Sequence, residues 1–508
     1  MRYGFVIDQR KCIGCHACSV ACKAENHVSL GVHRTWVKYV EKGRFPDSRR
    51  FFQVTRCNHC ANPPCVAICP VKAMYQRKDG IVDFDQTRCI GCKGCLQACP
   101  YDAIYIDPVT HTAAKCTYCA HRVEVAIEPA CVTVCPEHAI VAGDLDQPGS
   151  EIAQLVSREQ FRVRKPEQNT LPHVFYLAAD EATISPTAAS YENAYMWADR
   201  NDRIAGGGAI RMPPNRAIPA PVRAAYDVEH ERPWDWRVPA YAWTKSIGAA
   251  VLAVPAVAAA LGWLQTSKAL NLFLVLLALV FTGLTALLLV SDLSRRERFM
   301  FVLNRAQGKS WIARGAYILI AYSVLCVLYG LAVLIGISSL SSVLLWLTVA
   351  GGGLAAIYTA WLFGQCEGRD LWQTPLLPLH MLVQGWLASA AVLALLAPAC
   401  ADASQTLRVA GGALALGLAF HLLTMIAEFL MPPATDSAQY AARLLTRGPF
   451  RFAFWAGAIV LGVLIPAVLL AVGWGQAGLI GWAAASALVG MLVYEWCFVM
   501  AGQGVPNS

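Results

Sequence analysis

Polar and apolar positions divide the chain near residue 243. Beyond it lie eight apolar stretches, roughly 244–265, 270–290, 315–337, 343–364, 376–398, 407–430, 452–474 and 477–501. A hydrocarbon core of ~30 Å takes ~20 helical residues to cross. The pattern therefore predicts an all-α integral membrane bundle of eight transmembrane helices over 243–508. Residues 1–180 hold only short apolar runs, broken by cysteine, proline and glycine, and read as a separate α+β domain. Between them, residues 181–242 turn to Pro, Ala, Gly and Arg, as in "GGGAIRMPPNRAIPAPVRAA", with no sustained period. That stretch is expected to be an extended linker or docking arm.

An even number of spans returns the C-terminus to the face that carries the N-terminal domain. Loops on that face hold Arg295, Arg296, Arg298, Arg305, Lys309, Arg314, Arg369, Arg443, Arg447 and Arg451, against Lys268 and Arg408 on the other. This bias predicts a cytoplasmic N-terminal domain and C-terminus on a bacterial inner membrane. Cys12 arrives before an apolar signal segment could fit, which agrees. Composition adds one exclusion. A net charge of +8 in a soluble chain would suggest nucleic acid, but this one is 56% hydrophobic and 15% charged, with mean hydropathy +0.43. Basic residues that flank apolar segments fit a lipid surface instead, so no nucleic-acid partner is expected.

Sixteen of the twenty cysteines fall in the N-terminal domain, in four groups. Cys12, Cys15, Cys18 and Cys22 read C-x2-C-x2-C-x3-C, and Cys89, Cys92, Cys95 and Cys99 repeat it. Cys57, Cys60, Cys65 and Cys69 stretch one gap to four, and Cys116, Cys119, Cys131 and Cys135 stretch it to eleven. The x2 spacings bring successive thiolates to corners of one cubane, while the fourth cysteine, a helical turn later, points to the other cluster of a pair. Tetrahedral zinc has no use for such a run. The reading is a ferredoxin-like α+β domain with two pseudo-symmetric pairs of 4Fe-4S clusters, four in all. Such clusters are assembled in the cytosol, in keeping with the expected orientation. "CPVKAM", "CPYDAI" and "CPEHAI" follow groups two, three and four as an internal repeat; group one departs from it, with Lys23 after Cys22. Cys326, Cys366, Cys400 and Cys497 are scattered among apolar segments and read as small buried hydrophobes.

These motifs, with the closing "TLPHVFYL", resemble the four-cluster iron–sulfur subunit of the dimethyl-sulfoxide-reductase family of molybdenum enzymes. The resemblance implies a crossed pairing of groups. One cluster would sit on Cys12, Cys15, Cys18 and Cys135, a second on Cys116, Cys119, Cys131 and Cys22, a third on Cys57, Cys60, Cys65 and Cys99, and a fourth on Cys89, Cys92, Cys95 and Cys69. The membrane half resembles the NrfD-like, quinone-reactive anchor of polysulfide and nitrite reductase systems, through "PWDWRVPAYAWTK", "SDLSRRERFMFVLNRAQGKSWIARGAY" and "YTAWLFGQCEGRDLWQTPLLPLH". Together they imply a partner subunit carrying molybdenum bis-pterin and electron exchange with ubiquinone or menaquinone. The system most resembled is a cytoplasm-facing sulfite dehydrogenase that reduces quinone. The alternatives are a quinol-dependent reductase of polysulfide, tetrathionate or a sulfoxide, and a module that translocates protons or only anchors.

Within the spans, Lys245, Asp292, Tyr358, His380, His421, Glu428 and Glu495 all fall in the half nearest the N-terminal domain. Polar groups in lipid are costly and mark function. A quinone headgroup needs hydrogen-bond donors and a proton supply, which nominates Lys245, Asp292, Trp311, Tyr358 and His380 for headgroup contacts and Glu428 and Glu495 for proton transfer. No haem is expected, although His380 and His421 raise that question. No P-loop, dinucleotide-binding fingerprint or nucleophile constellation is present, so substrate chemistry is expected on another subunit.

Overall fold

The cysteine groups repeat in backbone as well as in sequence. In each C-x2-C the residue before the second cysteine has positive φ: Gly14, His59, Gly91 and Tyr118. At Gly14 a side chain would also meet the Phe52 ring at 2.4 Å, so glycine is required there twice over. A short helix then separates the third and fourth cysteines: Ala17–Glu25, Pro64–Ile68, Gly94–Ala98 and Ala130–Thr133. After groups two, three and four the chain turns at proline. Lys72, Asp102 and His138 take positive φ, and an extended segment follows from Met74, Ile104 and Ile140.

The computed structural model describes residues 1–44, 46–190, 222–229, 232–431 and 433–508. They form two compact units. The first is Met1–Pro233 with the short segments Cys366–Arg369 and Val505–Ser508; the second is Trp234–Gln365 with Asp370–Gly504.

In the first unit, strand Tyr3–Asp8 pairs in parallel with Val174–Leu177 and antiparallel with Ile140–Asp144, and Phe161–Arg162 completes the sheet. Strand Val174–Leu177 lies within the predicted closing motif. A long hairpin, Thr35–Arg44 with Asp47–Arg56, forms a second sheet, and two small hairpins follow the second and third cysteine groups. The stretch expected to be a linker or docking arm holds two regular elements. Val222–Tyr226 is a third strand on Thr35–Arg44, and Glu181–Ile184 is a helix whose N-cap Asp180 accepts the Ala182 N–H. Five residues with two alanines carry too little alternation to announce a strand, and its partner lies some 180 positions away. Residues 191–221 of that stretch lie outside the described residues.

The second unit is helical, with eight helices long and apolar enough to span: Arg237–Ala260, Lys268–Ser291, Trp311–Ile335, Ser338–Gly364, Leu377–Ala399, Ala403–Leu430, Ala453–Val472 and Ala477–Gly502. Each overlaps its predicted stretch. The first begins seven residues earlier than its apolar run, because Asp235 accepts the Arg237 N–H and starts the helix among polar residues. Its turns loosen at Val251 and Leu252, ahead of Pro255. The seventh runs as a π-helix over Ala453–Leu464. There Gly462 meets Gly490 of the eighth so closely that a Cβ on Gly490 would lie 1.9 Å from the Gly462 Cα. Small residues let helices in lipid approach this way. Gly490→Ala is expected to destabilise the protein by ~1–3 kcal/mol, the usual cost of overpacking, and thermal unfolding in mild detergent reads it. An unchanged midpoint would mean that the two helices do not touch there.

Candidate functional site

In the first unit cysteines from different groups line common cavities. One cavity is walled by Cys12, Cys15, Cys18 and Cys135, one by Cys22, Cys116, Cys119 and Cys131, and one by Cys69, Cys89, Cys92 and Cys95. For the fourth set, Cys60 and Cys65 have Cys57 and Cys99 as electrostatic neighbours. Each set takes three cysteines from one group and the fourth from another. The helix between the third and fourth cysteine of a group makes this possible, because its two ends face different cavities.

The donors are soft. Among the described residues no three His, Cys, Asp or Glu side chains converge as a single metal ion's ligands would. Four thiols around such a cavity fit an iron–sulfur cubane and do not fit tetrahedral zinc. Burial pushes the Cys18 thiol up to about 11 and those of Cys99 and Cys116 up to about 12. Metal binding would therefore release protons that the bare thiols hold.

The "CP" repeat also aims backbone donors at sulfur. Ala73 N–H lies 3.2 Å from Cys69 Sγ and Ala139 N–H lies 3.2 Å from Cys135 Sγ. Ala103 N–H serves Cys99 in the same way. The left-handed residue before each alanine turns the amide back onto the thiol. Group one lacks this turn, and four residues after Cys22 the side-chain amide of Asn26 takes its place, 3.7 Å from both Cys22 Sγ and Cys119 Sγ.

Arg56 is 1% exposed, and no pattern in the sequence marks it. Its Nη1 donates to Cys131 Sγ at 3.1 Å, and it lines the cavity of Cys22, Cys116, Cys119 and Cys131. Burial works against its charge, yet the thiols of Cys131, Cys116 and Cys18 hold its pKa above the ordinary arginine value.

The second unit gathers polar side chains from five spans. His380 Nδ1 lies 3.1 Å from Glu428 Oε1, and His380 Nε2 lies 2.9 Å from His421 Nδ1. Tyr494 donates to Glu428 Oε2 at 3.1 Å and stands 3.4 Å from His380 Nδ1. With Glu428 ionised the hydrogens order themselves. His380 Nδ1–H donates to the carboxylate, so its Nε2 accepts from His421 Nδ1–H. The two histidines thus meet nitrogen to nitrogen, and not across a porphyrin plane. Beside them Glu495 bonds the Gln384 amide and lies within electrostatic reach of His380 and Lys245. Lys245 donates to the Ala356 carbonyl at 2.6 Å and Thr359 Oγ1 at 2.9 Å, with its ammonium 5.3 Å from the centre of the Tyr358 ring.

Lys245, Tyr358, His380, Glu428 and Glu495 therefore share one neighbourhood, in the half of the bundle where odd-numbered spans begin and even-numbered ones end. Trp311 is placed differently. It packs on Trp361 with ring centres 4.5 Å apart, and its backbone N–H donates to Gln365 Oε1 at 2.8 Å. Asp292 is buried where it closes the second span. Sequence reasoning misses Tyr494, Gln384 and Thr359, which carry no charge and obey no motif.

The family model "Polysulphide reductase, NrfD" matches residues 227–507, and "4Fe-4S dicluster domain" matches residues 49–145. The sequence is 46% identical over 200 residues to a subunit of the tetrathionate reductase of Salmonella typhimurium, covering 39% of this chain and 80% of that protein. It is 41% identical over 177 residues to a component of the polysulfide reductase of Wolinella succinogenes, covering 34% and 93%. To the arsenate respiratory reductase iron-sulfur subunit of Shewanella sp. it is 36% identical over 225 residues, covering 35% and 96%.

Proposed function

This protein belongs to the polysulphide reductase NrfD family, with a 4Fe-4S iron–sulfur domain fused ahead of its membrane half, and from that membership we propose that it carries electrons between the membrane quinone pool and a molybdopterin-containing catalytic subunit. When bound, each cluster takes up and returns one electron. The chain's residues do the rest. Sixteen cysteines hold the clusters in four sets, and backbone amides at Cys69, Cys99 and Cys135 stabilise charge on sulfur. Quinone reduction or quinol oxidation moves protons as well as electrons, so the membrane site needs groups that hold them. His380, His421, Glu428, Tyr494 and Glu495 form such a reservoir in one half of the bundle, and Lys245 with Tyr358 borders it. That reservoir is the observation that carries the reading. Its confinement to one half favours proton exchange with a single side over a path through the membrane.

Direction and substrate follow the relatives. Those named above are subunits of reductases, which favours flow from quinol through the clusters to a sulfur compound such as tetrathionate or polysulfide. Sulfite oxidation, the leading expectation from the sequence, becomes the second reading, supported by the basic loops that predict a cytoplasmic iron–sulfur domain. In the complex purified from membranes, quinol-reduced clusters are expected to be reoxidised by tetrathionate or polysulfide, and clusters in the oxidised state are expected to stay oxidised with sulfite alone. Reduction of the clusters by sulfite would reverse the assignment.

A further inference from the structure

Arg56 stands at the end of strand Asp47–Arg56, next to Cys57. Its guanidinium lies 4.4 Å from the centre of the Phe5 ring, with one donor committed to Cys131 Sγ. Nε and Nη2 are buried and meet no acceptor among the described residues. No carboxylate among the described residues forms an ion pair with it. A fully buried guanidinium with two unmet donors and no counter-charge is costly to keep, so its surroundings must supply an anion with further acceptors. Four thiolates supply the charge, and the sulfides of a cubane would supply the acceptors. Its electrostatic neighbours span two sets: Cys22, Cys116 and Cys131 on one side, Cys12 and Cys18 on the other.

We propose that Arg56 is the fixed cation that sets the reduction potential of the cluster held by Cys22, Cys116, Cys119 and Cys131, and that it acts more weakly on the neighbouring cluster through Cys12 and Cys18. This rests on the cluster reading above. Reduction adds one negative charge to the cluster. A cation in a site of low dielectric stabilises the reduced form more than the oxidised one, and hydrogen bonds to sulfur act in the same sense. Arg56 thus makes this cluster a better electron acceptor than its thiols alone would.

The test is a redox titration of the full-length protein followed by electron paramagnetic resonance, with iron measured on each preparation. In Arg56→Gln the reduction equilibrium of that cluster is expected to weaken at least tenfold, ~59 mV lower for a one-electron couple, while the cluster beside Cys12 and Cys18 shifts less in the same direction and the other two keep their potentials. Arg56→Lys retains the charge and is expected to shift it less than threefold. Native iron with unchanged potentials in Arg56→Gln would overturn the proposal, as would equal shifts in both variants. If Arg56→Gln fails to hold iron, the unsubstituted protein grown with nitrogen-15 arginine decides. A reduced cluster should then show coupling to an arginine nitrogen that is lost in Arg56→Lys, and no coupling would overturn the assignment. Absence of clusters from the unsubstituted protein would instead refute the underlying reading.

Discussion

In His380→Ala, oxidation of the reduced clusters by quinone is expected to slow at least a hundredfold while iron content stays at the native level. A positioned proton-transfer group contributes ~10²–10⁴ in rate, and His380 is the junction of the polar network. It bonds Glu428 through one ring nitrogen and His421 through the other, with Tyr494 beside it. Removing the ring leaves Glu428 with only the tyrosine and His421 with an unmet Nδ1–H, at ~1–3 kcal/mol for each stranded buried group. His380→Gln separates a proton carrier from a structural strut, since an amide spans part of the gap but does not titrate. Both variants should be slow. A Gln variant of native speed would reduce His380 to packing. Stopped-flow absorbance of the clusters gives the rate, and metal analysis checks that the first unit is intact.

Cys135→Ser is expected to abolish or convert the signal of the cluster on Cys12, Cys15 and Cys18, and to leave the cluster on Cys116, Cys119 and Cys131 in place. Sequence proximity alone would say the opposite, because Cys135 is only four residues from Cys131. The cavity decides otherwise, for Cys135 shares its wall with Cys12, Cys15 and Cys18. Cys22→Ser should then affect the same signal as Cys116→Ser, since those two line one cavity. Loss of one whole cluster corresponds to ~four of ~sixteen irons, well within the precision of metal analysis paired with electron paramagnetic resonance. If Cys131→Ser and Cys135→Ser remove the same signal, the crossed arrangement is wrong.

Much of this is legible in the sequence because lipid and iron impose strong periodicities. Eight spans announce themselves by length and apolarity, and cubane ligation fixes cysteine spacing so tightly that even the departure after Cys22 is visible. The pairing of groups is implied by resemblance alone, since spacing does not say which distant cysteine closes a cavity. The polar network is half legible. Charged residues in an apolar run stand out, which nominates Lys245, His380, Glu428 and Glu495, but Tyr494 is one tyrosine among seventeen and becomes special only by meeting His380 from 114 positions away. Arg56 is invisible for a different reason. Exposed arginines are common, and only tertiary packing shows that this one is buried among thiols. Trp311 is nominated from the sequence with the others, and only the fold shows that its ring packs on Trp361. Strand Val222–Tyr226 lies in a stretch where proline and glycine dominate composition and hide a five-residue pairing segment.

One chain joins the clusters to the quinone pool in this reading. The most direct measurement places the full-length protein, without partner subunits, in lipid nanodiscs, reduces its clusters chemically, and adds a ubiquinone or menaquinone analogue while cluster absorbance is recorded. Reoxidation within seconds by quinone alone is expected, slowed in His380→Ala. Clusters that stay reduced in the presence of quinone, yet are oxidised at once by ferricyanide, would contradict that reading.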